Sequence, residues 1–167
     1  MEISVTLVKD LRERTSAGVM ECKQALQEAE GNIDRAYEIL RERGLSKALK
    51  KSDRIAHQGL IEAYIHPGGR LGAMVELNCE TDFVAHTDEF KALAHDLTLQ
   101  VAATAPQCIS SEELPPGSDL VPEEACLLLQ PFVKDPTRKI SDLVAEVSAK
   151  MGEKVAIGRF VRFELSK

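Results

Sequence analysis

The sequence predicts an α+β fold: an N-terminal three-helix bundle followed by a small antiparallel-sheet core domain with covering helices. Three observations predict it. Apolar residues recur at helical spacing through the first 45 residues, the period changes to strict alternation between residues 60 and 79, and two more helical stripes follow, separated by a proline-rich connection. The expected organisation is a bundle at 1–45, a helical linker at 46–57 and an α+β dimerisation or core domain at 58–167. A chain of 167 residues has room for two modest cores at most.

Val5, Val8 and Leu11 put one apolar stripe on the first helix, and Thr15, Ser16, Ala17 and Gly18 interrupt it. Cys22, Ala25, Leu26 and Ala29 follow the i, i+3, i+4, i+7 pattern of a second helix, which Gly31 is placed to end as a left-handed cap. Asn32 is a natural N-cap for a third helix, where Ile33, Ala36, Tyr37 and Leu40 repeat the spacing and Gly44 is expected to supply the C-cap. Helices this short are marginal alone, so their stripes must bury against one another. Lys47, Lys50, Lys51 and Arg54, opposed only by Asp53, mark a solvated linker.

Residues 60–66 and 70–79 read as a β-hairpin across the turn Pro67-Gly68-Gly69, with Leu71, Ala73, Val75, Leu77 and Cys79 on one face. Phe90, Leu93, Leu97 and Val101 define a helix that starts at Asp88 and stops before Pro106, and it can cover that face. Pro106, Pro115, Pro116 and Pro122 make the next stretch irregular. Ile140, Leu143, Val144, Val147 and Met151 form the last helical stripe, closed by Gly152. Val155, Ile157, Val161, Phe163 and Leu165 are expected on one face of a C-terminal strand that joins the hairpin.

Composition narrows the function. At 44% apolar and 29% charged the chain is typical of folded globular proteins. With no tryptophan and 4% aromatics it cannot build base-stacking platforms, and a formal charge of −6 repels phosphate backbones, so direct nucleic-acid binding is disfavoured. The charge is uneven: residues 1–55 carry a net +1 and the remainder −7, so the two parts are expected to meet different surfaces. Cys22, Cys79, Cys108 and Cys126 lie far apart, without a Cys-x-x-Cys pair or histidines at zinc-knuckle spacing. They read as mostly buried free thiols in a reducing compartment. No stretch approaches the roughly 20 apolar residues of a membrane span, and an apolar signal region is lacking, so a soluble cytoplasmic protein without metal or cofactor is expected.

Two segments are not accounted for by packing. In Asn78-Cys79-Glu80-Thr81-Asp82-Phe83-Val84 a strand stops and an aromatic side chain stands beside acids, outside both neighbouring stripes. Two placements of Phe83 are open: exposed at a rigid strand end and available to a partner's pocket, or folded under the following helix as a staple. The second segment runs from Arg12 to Met20, where a small glycine-containing loop is flanked by Val19 and the adaptable Met20. By spacing alone, a plain helix-helix turn with a hydrophobic staple is the favoured account of it.

The same residues carry a resemblance. Leu11-Arg12-x-x-Thr15-x-Ala17-Gly18-x-Met20-x-x-Lys23-x-Ala25-Leu26, followed by Gly31, Ala36, Leu40, Arg41 and Gly44, is similar to the elongation factor Ts family. Arg54, Ala56 and Gly59 continue the likeness. The run from Val75 through Ala85 is the family's most characteristic, and Gln130-Pro131-Phe132-Val133-Lys134-Asp135 and Gly158-Arg159-Phe160-Val161-Arg162-Phe163-Glu164 resemble its C-terminal segments.

The resemblance implies a guanine-nucleotide exchange factor for elongation factor Tu, the GTPase that delivers aminoacyl-tRNA to the ribosome, with no chemistry of its own. It implies a bundle like a ubiquitin-associated (UBA) domain, docking on the GTPase through Arg12, Val19 and Met20. It further implies that the turn Thr81-Asp82-Phe83-Val84 enters beside the switch region, where Asp82 and Phe83 disturb the magnesium and phosphate site. One region departs from the family: the longer helical segment usual between residues 113 and 126 is essentially missing, and Leu129 stands where a Glu is usual. The chain also holds one copy of the core where longer members hold two related halves. A homodimer would present two copies, and apolar residues near 125–129 are candidates for its contact.

Two readings compete. An adaptor would dock a partner through the Met20 and Leu40 regions but leaves the Asp82-Phe83 turn unexplained. An enzyme would use Cys79 as nucleophile, His86 or His95 as base and Glu80 as acid, although Cys79 falls on the inward face of its strand. A metal held by His57, His66 and Asp82 would require a convergence the sequence does not show.

Overall fold

The computed structural model describes residues 3–15 and 17–165; Ser16, in the loop singled out above, lies outside them. Three helices come first: α1 (Val5–Thr15), α2 (Val19–Glu28) and α3 (Ile33–Lys50). Leu11, Cys22, Ala25, Leu26, Ala29, Ala36 and Leu40 form their common core, as the stripes require. Val5 departs from its expected stripe. It is 83% exposed, because the face of α1 that meets the core carries Leu7, Val8 and Leu11, continued by Ile3 before the helix, and Val5 lies off that face. Asn32 caps α3 as expected, its Oδ1 accepting the Arg35 N–H at 3.0 Å.

Gly44 does not close α3. The helix runs to Lys50 with its C-cap at Lys51, and Gly44 is not among the glycines with positive φ. A mid-helix glycine costs only about 1 kcal/mol relative to alanine, and packing of α3 on the later helix α7 (Ile140–Met151) outweighs that. Arg41 Nε donates to Asp142 Oδ1 at 3.2 Å and Lys51 Nζ to the Ser148 carbonyl at 2.8 Å. A cavity of about 330 Å³ remains between α3 and α7, flanked by Arg41, Lys47, Arg138 and Glu146.

The second core is built on a three-stranded antiparallel sheet in the order β1 (Gln58–Ile65), β2 (Leu71–Cys79) and β5 (Ala156–Glu164). The pairs Leu60↔Leu77, Glu62↔Val75 and Tyr64↔Ala73 set the face that α5 (Asp88–Thr104) and α7 cover. Phe90, Leu93, Leu97 and Val101 of α5 are all buried, so its single-face pattern holds. Gly152, at φ 73°, ends α7 in the left-handed conformation that glycine adopts without strain. Two short strands, β3 (Pro131–Phe132) and β4 (Asp135–Lys139), pair separately before α7.

Strand β5 breaks the expected alternation. Leu77 pairs with Ile157 but Glu76 pairs with Arg159, so Gly158 is an extra residue and the side-chain parity reverses there. Ile157 and Phe160 consequently join the core, whereas Val161, Phe163 and Leu165 are exposed. A bulge is set by pairing to a distant strand, so alternation within β5 cannot reveal it.

The irregular connection between α5 and β3 contains one four-residue helix, α6 (Pro122–Ala125). Its two ends are pinned together: Leu127 N donates to the Cys108 carbonyl at 2.9 Å and Leu128 N to the Ile109 carbonyl at 3.0 Å. Residues 125–129 are therefore not an exposed apolar patch. Ala125, Cys126 and Leu127 are buried and Leu128 packs on the core.

All four cysteines are free and buried, as the composition predicts. Cys108 Sγ lies 3.3 Å from Cys126 Sγ, and burial, reinforced by that neighbour, pushes the Cys108 thiol up to about 11. An unfolded-chain thiol ionises near 9, so this group's contribution to stability is intact below that pH and is lost as pH rises through about 11. At pH 7 the native protein is expected to leave Cys108 and Cys126 unmodified by a thiol-reactive dye, while denatured protein reacts at every cysteine. Rapid labelling of either residue in the native state would show that the connection opens.

Candidate functional site

The sheet positions the segment of interest at the end of β2. Cys79 is the last buried residue of that strand, and its Sγ donates to the Thr81 carbonyl at 3.0 Å. The chain then turns into the single-turn helix α4 (Asp82–Ala85). Its inner side, Val84 and Ala85, joins the core. Val84 is 7% exposed and anchors the turn, offering little side-chain surface. Phe83 faces outward and is 82% exposed. That exposure excludes the staple alternative; Thr87 caps α5, accepting the Phe90 N–H at 3.3 Å and donating to the Val84 carbonyl at 2.7 Å.

The base of the turn is bound from a distant segment. Glu153 Oε2 accepts the Glu80 N–H at 3.1 Å and the Thr81 N–H at 3.0 Å, and Oε1 accepts the Thr81 hydroxyl at 2.6 Å. In return Glu80 Oε1 accepts the Lys154 N–H at 2.5 Å and the Arg54 guanidinium at 3.3 Å. The Lys154 amide, and secondarily Arg54, hold the Glu80 carboxyl below the usual glutamate range. Glu153 lies outside every periodic pattern, 72 residues from Thr81, so no local signal in the sequence marks it. Asp82 is exposed at the first position of α4, and its carbonyl contacts His86 Nδ1 at 2.6 Å.

Arg12, Val19 and Met20 are exposed on the helical bundle, Met20 at 64%. They flank the loop between α1 and α2 and form a surface separate in sequence from the Phe83 turn.

The enzyme arrangement is not assembled. Cys79 is sealed in the core with its thiol raised by burial, His86 is engaged with the Asp82 carbonyl, and His95 contacts Glu62 Oε1 at 3.2 Å. Among the described residues no group of three or more histidine, cysteine or acidic side chains could hold a metal ion. No helix among them is long and apolar enough to cross a membrane.

Comparison with known proteins decides the family. The model of the family described as elongation factor TS matches residues 4–118. Elongation factor Ts of Carboxydothermus hydrogenoformans is 46% identical over 195 residues, covering 99% of this chain and 90% of that protein. The chain belongs to the elongation factor Ts family. Elongation factor Ts of Herpetosiphon aurantiacus is 47% identical, covering 99% of this chain and 98% of that one, and elongation factor Ts of Thermoanaerobacter sp. strain X514 is 45% identical with 97% and 94% covered. These alignments extend over 192 to 195 residues against a chain of 167, so the elongation factor Ts relatives carry residues without counterparts here. Membership makes this a translation elongation factor of the nucleotide-exchange kind and not an enzyme.

Proposed function

We propose that this member of the elongation factor Ts family promotes GDP release from elongation factor Tu by inserting Phe83 beside the switch region while the helical bundle grips the nucleotide domain. The observation that carries the reading is Phe83 itself, a large apolar side chain 82% exposed on a turn whose backbone is fixed from both sides. An isolated monomer gains nothing by leaving a phenylalanine in water at a rigid site, whereas burial in a partner's pocket returns about 1.5 to 3 kcal/mol. Asp82, exposed beside it, supplies a carboxylate that competes for donors near the magnesium and phosphate site. Thr81 and Val84 hold the pair in place.

Exchange needs no bond-making group. A factor that binds the nucleotide-free GTPase best weakens GDP binding by the same ratio by which GDP weakens its own. A coupling of about 4 kcal/mol corresponds to roughly a thousandfold. The bundle, taken as UBA-like with its boundary near residue 45, contributes grip through Arg12, Val19 and Met20. No nucleic acid or membrane enters the mechanism, and the cytoplasm is where its partner works. Release of a fluorescent GDP analogue from elongation factor Tu tests the reading, with marked acceleration expected at micromolar concentration; an unchanged release rate overturns it.

The same reading includes a homodimer. The uncovered sheet face exposes Ile61, Ile65, Met74, Val161 and Phe163, the last at 72%, on adjoining strands in register. An apolar antiparallel face of this kind can meet a copy of itself about a two-fold axis, with the two sheets about 10 Å apart. It would give the single-core chain its second core. Light scattering is expected to give a dimeric mass for the native protein and a monomeric one for Val161→Glu. A monomeric native mass at tens of micromolar would remove the dimer.

A further inference from the structure

The contacts at the base of the Phe83 turn reach beyond the turn. Gly152 ends α7 with φ 73°, and this reversal brings the next two residues back toward the end of β2. Glu153 then spends both carboxylate oxygens on Glu80 and Thr81, while the Lys154 amide donates to the Glu80 carboxylate, so two acidic residues each bind the other segment's backbone. Lys154 Nζ donates to the carbonyls of Ser52 and Arg54, and the Arg54 side chain closes on Glu80. The segment that leaves α3, the base of the turn and the start of β5 therefore meet at one place. Thr81 stands at the N-cap position of α4, yet its hydroxyl goes to Glu153 and makes no cap. A four-residue helix has almost no stability of its own, so its orientation is set by whatever holds its first residues.

We propose that Glu153 is a positioning residue for nucleotide exchange: by holding the Glu80 and Thr81 amides and the Thr81 hydroxyl, it fixes the direction of Phe83 before the GTPase is met. The inference rests on the exchange reading above and adds to it a residue that never has to touch the partner. A wedge already ordered in the free protein loses no conformational freedom on docking, and that saving appears in the strength with which it acts. Glutamine at this position keeps the size of the side chain but loses the charge that strengthens the two amide bonds, and its NH2 can face only the Thr81 hydroxyl, which must turn round to accept. Affinity set by the bundle is left alone.

Hydrogen exchange on the free full-length protein and GDP release from the GTPase, measured for wild type, Glu153→Gln, Phe83→Ala and the double variant, test this. In Glu153→Gln the Glu80 and Thr81 amides are expected to exchange at least tenfold faster while those of β2 and α5 stay protected. The maximal stimulated release rate is expected to fall about fivefold, with the half-saturating concentration changed less than twofold. The double variant is expected to match Phe83→Ala alone, because Glu153 acts through that ring. Losses that multiply in the double variant, or turn amides as protected in Glu153→Gln as in wild type, overturn the proposal. Should wild type itself fail to stimulate release, the exchange reading falls and with it this role for Glu153, whereas the amide measurements still report whether the carboxylate holds the turn.

Discussion

Phe83→Ala is expected to slow stimulated GDP release tenfold or more while leaving the protein's own stability unchanged. The side chain is 82% exposed, so its removal creates no cavity in the monomer, and the thermal midpoint should move by less than a degree or two. Within a complex the same ring would be buried. Losing about 1.5 to 3 kcal/mol of burial is roughly ten- to a hundredfold, since 1.4 kcal/mol is a factor of ten. A stability change with normal exchange would mean that the ring serves the monomer. Stopped-flow release of labelled GDP at saturating factor distinguishes the two, and exchange at the wild-type rate would show that the wedge assignment is wrong.

Gly59→Ala is expected to act through the fold and to cost about 3 kcal/mol or more in urea-unfolding free energy. Gly59 has φ +151°, outside the range side chains favour, and pairs with Asn78 across the hairpin. A Cβ there would stand 2.0 Å from the Leu77 carbonyl oxygen and 2.9 Å from the Asn78 Cα, both backbone atoms of β2. Neither can swing aside as a flexible side chain could. The strand that must yield is the one leading into the Phe83 turn, so exchange should fall along with stability. A loss below about 1 kcal/mol would show that β1 shifts away at little cost.

Much of the architecture is local information. The stripes of α1, α2 and α5, the β1-β2 hairpin and the Gly152 cap each follow from a few residues whose spacing matches a helical or strand period, and the structure contains each with only small changes at the ends. The four buried thiols likewise follow from composition. Val5 and Gly44 show where this reading stops. An apolar residue at the right spacing is buried only if another element lies opposite, and a glycine ends a helix only if nothing beyond it rewards continuing.

The candidate site divides along the same line. Its position was readable, because an aromatic and two acids at a strand end fit neither neighbouring stripe. Its geometry was not. Whether Phe83 points out or folds under depends on Thr87 taking the α5 cap and on Val84 filling the core, and what holds the turn is a carboxylate 72 residues away in sequence.

Periodicity and cap chemistry settled the long helices, the β1-β2 hairpin and the apolar face of α5, because those are properties of neighbours along the chain; the short elements α4, α6, β3 and β4 carry no such period. The direction of Phe83, the reversal of β5 at Gly158, the continuation of α3 to Lys50 and the Glu153 clamp came from contacts between segments far apart in sequence. Such contacts exist only after the chain has closed on itself, since each depends on hydrogen-bond donors and apolar surface that another element brings to the same place.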